Sequence, residues 1–154
     1  MQITEKNWVV WATASSGALS DVHVEVTAAS TGLDNDEGFG LVCGFSDNAH
    51  FYYLGFTPEG YYAIIKTEGD IDTVLNDPNH TWLQSMRVAR RAESYRVGAD
   101  CRSDGTLTLS VDGLEVATAT DTSYPDGSIG LFARTFDLAP AEPRCDDLVV
   151  TALQ

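Results

Sequence analysis

Leu107-Thr108-Leu109-Ser110-Val111-Asp112-Gly113 sets an apolar side chain at every second position, then stops at a dipeptide suited to a tight hairpin. A segment with that period is a strand with one face in a core and the other in water. Val22-His23-Val24-Glu25-Val26 repeats the pattern. Outward from these two, apolar runs of strand length alternate with turn signals such as Pro58-Glu59-Gly60, Glu68-Gly69-Asp70, Ser103-Asp104-Gly105 and Pro125-Asp126-Gly127. Strands are predicted over 7–13, 22–29, 38–46, 50–57, 60–67, 71–75, 94–102, 106–111, 114–120, 128–135 and 145–153. Short strands at about 8–12-residue spacing define an all-β sandwich or barrel. Thr81 to Ala92 has room for a helical turn or two, but its apolar residues do not repeat at helical spacing. Leu138–Pro143 reads as a loop before the last strand. No repeat or linker divides the chain, so residues 1–154 read as one domain.

The chain carries 23 acidic residues against two lysines and seven arginines, a net charge of −14. An acidic surface repels phosphate, which argues against nucleic acid and anionic membranes as partners. It favours solubility, and cation binding is compatible with it. No apolar run approaches the ~20 residues that cross a bilayer, so no membrane insertion is expected. Met1-Gln2-Ile3-Thr4-Glu5-Lys6 is not a signal peptide, which leaves two readings: export directed by a segment not in this sequence, or a cytosolic protein. Three cysteines are an odd number, implying one bridge and a leftover thiol in an exported protein. No Cys-x-x-Cys pair is present to form a zinc or redox site.

From Asp21 onward the order of elements resembles the concanavalin A-like (laminin G/glucanase-like) sandwiches of bacterial lipoproteins and kinase-associated sensor regions. The stretches that carry the likeness are Ser20–Val26, Phe39–Cys43, Asn48–Leu54, Gly60–Lys66, Leu107–Gly113, Asp121, Gly127–Leu131 and Cys145–Val150. The resemblance implies a jelly-roll sandwich of two antiparallel sheets, extracellular or at the cell surface. It also implies a disulfide between Cys43 and Cys101, closing a loop of 57 residues. Three departures stand out. Asp112 replaces the Asn usual in the hairpin, a swap the left-handed conformation tolerates. Cys145 replaces an aromatic residue. An opening segment that would supply a strand next to the last one is missing. The chain is therefore expected to be a fragment, or a domain whose edge another chain completes.

Some sandwiches of this type hydrolyse β-glucans with Glu-x-Asp-x-Glu on one strand. The nearest text here is Asp21-x-His23-x-Glu25. Four residues along a strand separate two backbones by ~13 Å, whereas glycosidases set their carboxyl groups ~5.5 Å or ~6.5–9.5 Å apart. We read that strand as a solvated face and expect no enzyme. Gly-x-Ser-x-Gly, His-Glu-x-x-His and phosphate-binding glycine loops are absent. His23, His50 and His80 lie on separate segments.

Carbohydrate binding is the sharper candidate, because sugars stack their C–H faces on aromatic rings while polar neighbours orient them. Alternation sends Phe51 and Tyr53 to one face and Tyr52, Leu54 and Phe56 to the other. Tyr61 joins the first set in one register, and Trp82 is a rim candidate. The competing reading has both faces of this hairpin covered. The resemblance further implies a structural calcium with Asp146 as a ligand, and Asp34-Asn35-Asp36-Glu37-Gly38 also concentrates oxygen donors. Asn79-His80-Thr81 is a formal glycosylation sequon to which we attach no role. Three functions remain: an extracellular recognition or sensor domain; a subunit of a filament, sheath or surface layer; an accessory domain of a secreted glycoside hydrolase. Their partners would be carbohydrate, other copies of the chain, or domains of a parent protein.

Overall fold

A computed structural model describes residues 2–14, 17–30, 37–138 and 140–154. The chain forms two antiparallel sheets packed face to face. The larger runs in the order β1 (Val9–Thr13), β11 (Ser128–Thr135), β3 (Glu37–Asp47), β4 (His50–Phe56), β5 (Tyr61–Glu68), β6 (Ile71–Val74), and the two-residue β7 (Leu83–Gln84) pairs with β5. The smaller runs β10 (Leu114–Thr120), β9 (Thr106–Val111), β8 (Tyr95–Cys101), β2 (Val22–Ala29), β12 (Arg144–Ala152).

Each strand predicted from the sequence is present, its ends within two residues of those expected. β7 was not predicted, because two paired residues leave no periodicity to read. Thr81 to Ala92 forms β7 and turns, and no helix occurs among the described residues. At the β9–β10 hairpin both Asp112 and Gly113 take positive φ, 52° and 80°, as a two-residue turn of this hand requires.

Alternation builds the core. Val24 and Val26 of β2, Leu41 of β3, Tyr52, Leu54 and Phe56 of β4 and Leu109 and Val111 of β9 fill the space between the sheets. The alternate residues of the larger sheet make a second cluster on its outer face: Val42, Phe51, Tyr53, Ala63, Ile65 and Phe132. Gly40 and Gly55 pair across β3 and β4 beneath Phe132. A Cβ on Gly55 would stand 2.4 Å from Phe132 Cζ, so only glycine lets that ring lie down on the sheet.

Two ties reinforce the packing. Cys43 of β3 and Cys101 of β8 are disulfide-bonded with Cα atoms 6.6 Å apart, joining the sheets through the core. Constraining the unfolded chain by a loop of this size contributes roughly 4 kcal/mol in the chain-entropy model. Beside it, the Tyr52 hydroxyl donates to Asp121 Oδ1 at 2.6 Å, and Lys66 Nζ lies 3.4 Å from Asp121 Oδ2. Burial works to raise the Asp121 pKa. Hydrogen bonds from Tyr52 and Ser123 and the Lys66 charge outweigh it and hold the carboxyl at about 2.

Candidate functional site

The outer face of the larger sheet carries a continuous strip of rings. Trp11 lies 4.9 Å from Phe51 between centroids, Phe51 6.1 Å from Tyr53, and Tyr53 4.8 Å from Phe132. At one end of the strip opens a cleft of about 420 Å³. Trp8, Val9 and Trp11 line it from the N-terminal side, Asn48 and Phe51 from the β3–β4 hairpin, and Thr67, Asp70 and Asp72 from the β5–β6 hairpin.

Each wall has a local cause. Asn7 takes φ 52°, so the chain turns just ahead of Trp8, a residue that is 56% exposed. Trp11 is propped by Phe51 on one side, and its indole N–H points to Asn48 Oδ1 at 3.4 Å. Asp72 is held by both oxygens: the Tyr53 hydroxyl donates to Oδ2 at 2.6 Å and Thr67 Oγ1 donates to Oδ1 at 2.8 Å. Burial pushes the Tyr53 pKa up, the hydrogen bond to Asp72 pushes it further, and Arg134 works the other way. The phenol therefore stays protonated and stays a donor. The result is an aromatic wall facing fixed oxygen acceptors, the arrangement that holds a polyhydroxylated ring by its C–H face and its hydroxyls.

The sequence-derived residues fall unevenly around this cleft. Phe51 and Tyr53 do share the outer face, but each is 1% exposed. Sugar stacking on either ring is thereby corrected, since neighbouring rings already cover them: Phe51 is floor and Tyr53 is a prop for Asp72. Tyr61 is 43% exposed, and its register with Gln84 sets it beyond the cleft residues. Trp82 packs on the same apolar cluster at the far end, 5.4 Å from Phe136. Asp146 lies exposed on β12, its Oδ1 accepting the Asp147 N–H. No group of three metal-ligating side chains gathers among the described residues, and the Asp34–Asp36 part of the acidic loop lies outside them. On the opposite sheet, Asp21 accepts from Ser103, His23 Nδ1 meets Asp100 at 2.5 Å and Glu25 pairs with Arg96. His23 Nε2 also lies 3.9 Å from Glu25 Oε2, so His23 and Glu25 share one surface network with Asp100 and Arg96, while Asp21 stands apart on Ser103.

Sequence reasoning missed Trp8, Trp11, Asn48, Asp70 and Asp72. Two tryptophans three apart in one strand fall on opposite faces by strict alternation, so periodicity gave them no common surface. Two tryptophans in one predicted strand were the available signal.

A two-sheet antiparallel sandwich with this strand order is a concanavalin A-like, jelly-roll fold of the lectin type. Among solved structures the chain is similar to the carbohydrate-binding module CBM66 from Bacillus subtilis, with TM-score 0.70, 14% identity, and 98% of this chain and 95% of that one covered. It is similar to chicken galectin 2, with TM-score 0.63, 10% identity, and 96% and 100% covered. A GH43 protein of Bacillus licheniformis also aligns at TM-score 0.65 and 10% identity, but the match covers 98% of this chain and 32% of that one. No family model and no curated protein matches the sequence.

Proposed function

We propose that this chain is a non-catalytic glycan-recognition domain that works outside the cytoplasm. One observation carries the reading: an exposed tryptophan, Trp8, and a propped one, Trp11, face the anchored carboxylate Asp72 across a cleft of sugar dimensions. Stacking on indole supplies affinity, and Asn48, Asp70 and Asp72 accept hydrogen bonds from hydroxyls. The structural likeness to a carbohydrate-binding module and to galectins supports this class of ligand. The cross-sheet disulfide supports an oxidising compartment. Asp72 has both oxygens engaged as acceptors, which suits holding a ligand rather than shuttling a proton. The test is a glycan array probed with the purified chain, with every bound glycan incubated and examined for cleavage. The reading expects binding without hydrolysis; no binding to any class of glycan contradicts it.

A second reading rests on β12. This strand ends the smaller sheet, its outer backbone edge has no partner strand among the described residues, and all nine of its residues are exposed. Leu148 is 40%, Val149 47% and Val150 42% exposed. An apolar edge of this kind is a template for an added strand. We propose that a strand from a neighbouring chain completes the sandwich there, which would make the protein a subunit of an extracellular assembly.

A further inference from the structure

Arg134 stands on the outer face of β11, in register with Val9 of the cleft on one side and Gly38 on the other. Gly38 has no side chain, and a Cβ there would lie 3.1 Å from Arg134 Cγ and 3.6 Å from both Trp82 and Phe136. Three large side chains converge in the space it leaves. The guanidinium carbon sits 4.6 Å from the Phe136 ring centroid and 5.8 Å from that of Trp82. Those two rings meet edge to face at 87°. Ring contacts on two sides hold the planar fork in place.

What the fork lacks is an anion. The ion pairs among the described residues use Lys66, Arg91, Arg96 and histidines; Arg134 forms none. Its Nε is buried with no hydrogen-bond partner. Leaving a buried donor on a cation unpaired is costly, and in a chain of net charge −14 carboxylates are abundant. The guanidinium stands against the Tyr53 hydroxyl, on which its charge acts, and next to Val9 of the cleft wall, with no carboxylate in an ion pair with it; a planar anion is the partner its charge calls for. Asp70 and Asp72, at the β5–β6 side of the same face, suit neutral hydroxyls and repel charge. The overall negative field also disfavours a polyanion.

Resting on the glycan-recognition reading, we infer that the ligand is an oligosaccharide carrying an isolated carboxylate, a uronic-acid unit. Its acid group would pair with Arg134 while a neighbouring neutral sugar occupies the Trp8–Trp11 cleft. With Nε buried, the half-buried side chain would make that contact through its terminal Nη groups.

The experiment uses matched glycan pairs and the intact chain. Isothermal titration compares oligogalacturonate with its methyl ester, and glucuronic-acid-substituted xylo-oligosaccharides with unsubstituted ones, at low and high salt. The proposal expects one acidic member to bind about tenfold to a hundredfold more tightly than its uncharged twin, with the gap narrowing as salt rises. Arg134→Gln should close the gap between the acidic member and its uncharged twin. Because the paired comparison uses wild-type protein, it stands even where Arg134→Gln folds poorly. Binding of uncharged glycans with no preference for their acidic twins would overturn the inference and leave the recognition reading intact. No binding to any member, together with an empty glycan array, would overturn both.

Discussion

The Tyr53 hydroxyl donates to Asp72 Oδ2 at 2.6 Å, from a ring with 1% exposure to a carboxylate at the open cleft. The core-like cluster on the outer face therefore reaches the carboxylate of the site through one hydroxyl. Tyr53→Phe keeps the ring and its packing but frees half of the Asp72 anchor. Stability should fall by no more than about 1 kcal/mol, while affinity for a bound glycan falls several-fold. Thermal melts and titrations of the same preparation check both. An unchanged affinity would show that Asp72 needs no prop.

The disulfide sets a second expectation. Reducing the protein, or replacing Cys43 and Cys101 together by Ala, should cost roughly 4 kcal/mol on the chain-entropy model, before any cavity cost at these buried positions. Urea unfolding with and without reductant measures it.

Asp121 predicts a pH signature. Its folded pKa of about 2 lies below the 3.8 of a free aspartate, so the unfolded state binds protons more readily as the pH drops. The contribution is fully present above about pH 4 and is lost as pH falls through about 2. After solvent screening of this partly open carboxylate, the contribution is at most about 2 kcal/mol. Asp121→Asn should lose correspondingly less stability than wild type between pH 4 and pH 2, read from urea midpoints. Equal acid sensitivity of the two proteins would contradict the network around Tyr52.

The strands were legible because both faces of the sandwich obey period two: Val22 to Val26 and Leu107 to Val111 bury every second side chain. The separation of Phe51 and Tyr53 from Tyr52 and Leu54 followed from the same rule. The cleft was not legible. The ring strip beside it depends on Phe132 settling over Gly40 and Gly55, and its wall on a turn at Asn7 ahead of Trp8. Both are tertiary arrangements that no period within a single strand encodes. Phe51 looked like a platform because alternation fixes which face a ring takes, not what covers it.

The exposed edge of β12 yields a prediction of its own. Completion by a neighbour's strand expects light scattering to give a mass above the 16.7 kDa of one chain. It also expects Val150→Lys to return the species to a monomer. A wild-type monomer at high concentration contradicts that reading. Loss of the larger species on reduction alone would instead place an intermolecular bridge at the exposed Cys145.

The central claim is that the outer-face cleft binds a glycan through its tryptophans. The most direct measurement is isothermal titration of an array-selected glycan into wild type, Trp8→Ala and Trp11→Ala, each checked for an unchanged fold by circular dichroism. Loss of a stacking ring should weaken binding about tenfold or more for Trp8→Ala, whose side chain is largely exposed and contributes little to stability. Affinity that survives both substitutions would place the binding site elsewhere on the sandwich and contradict the account.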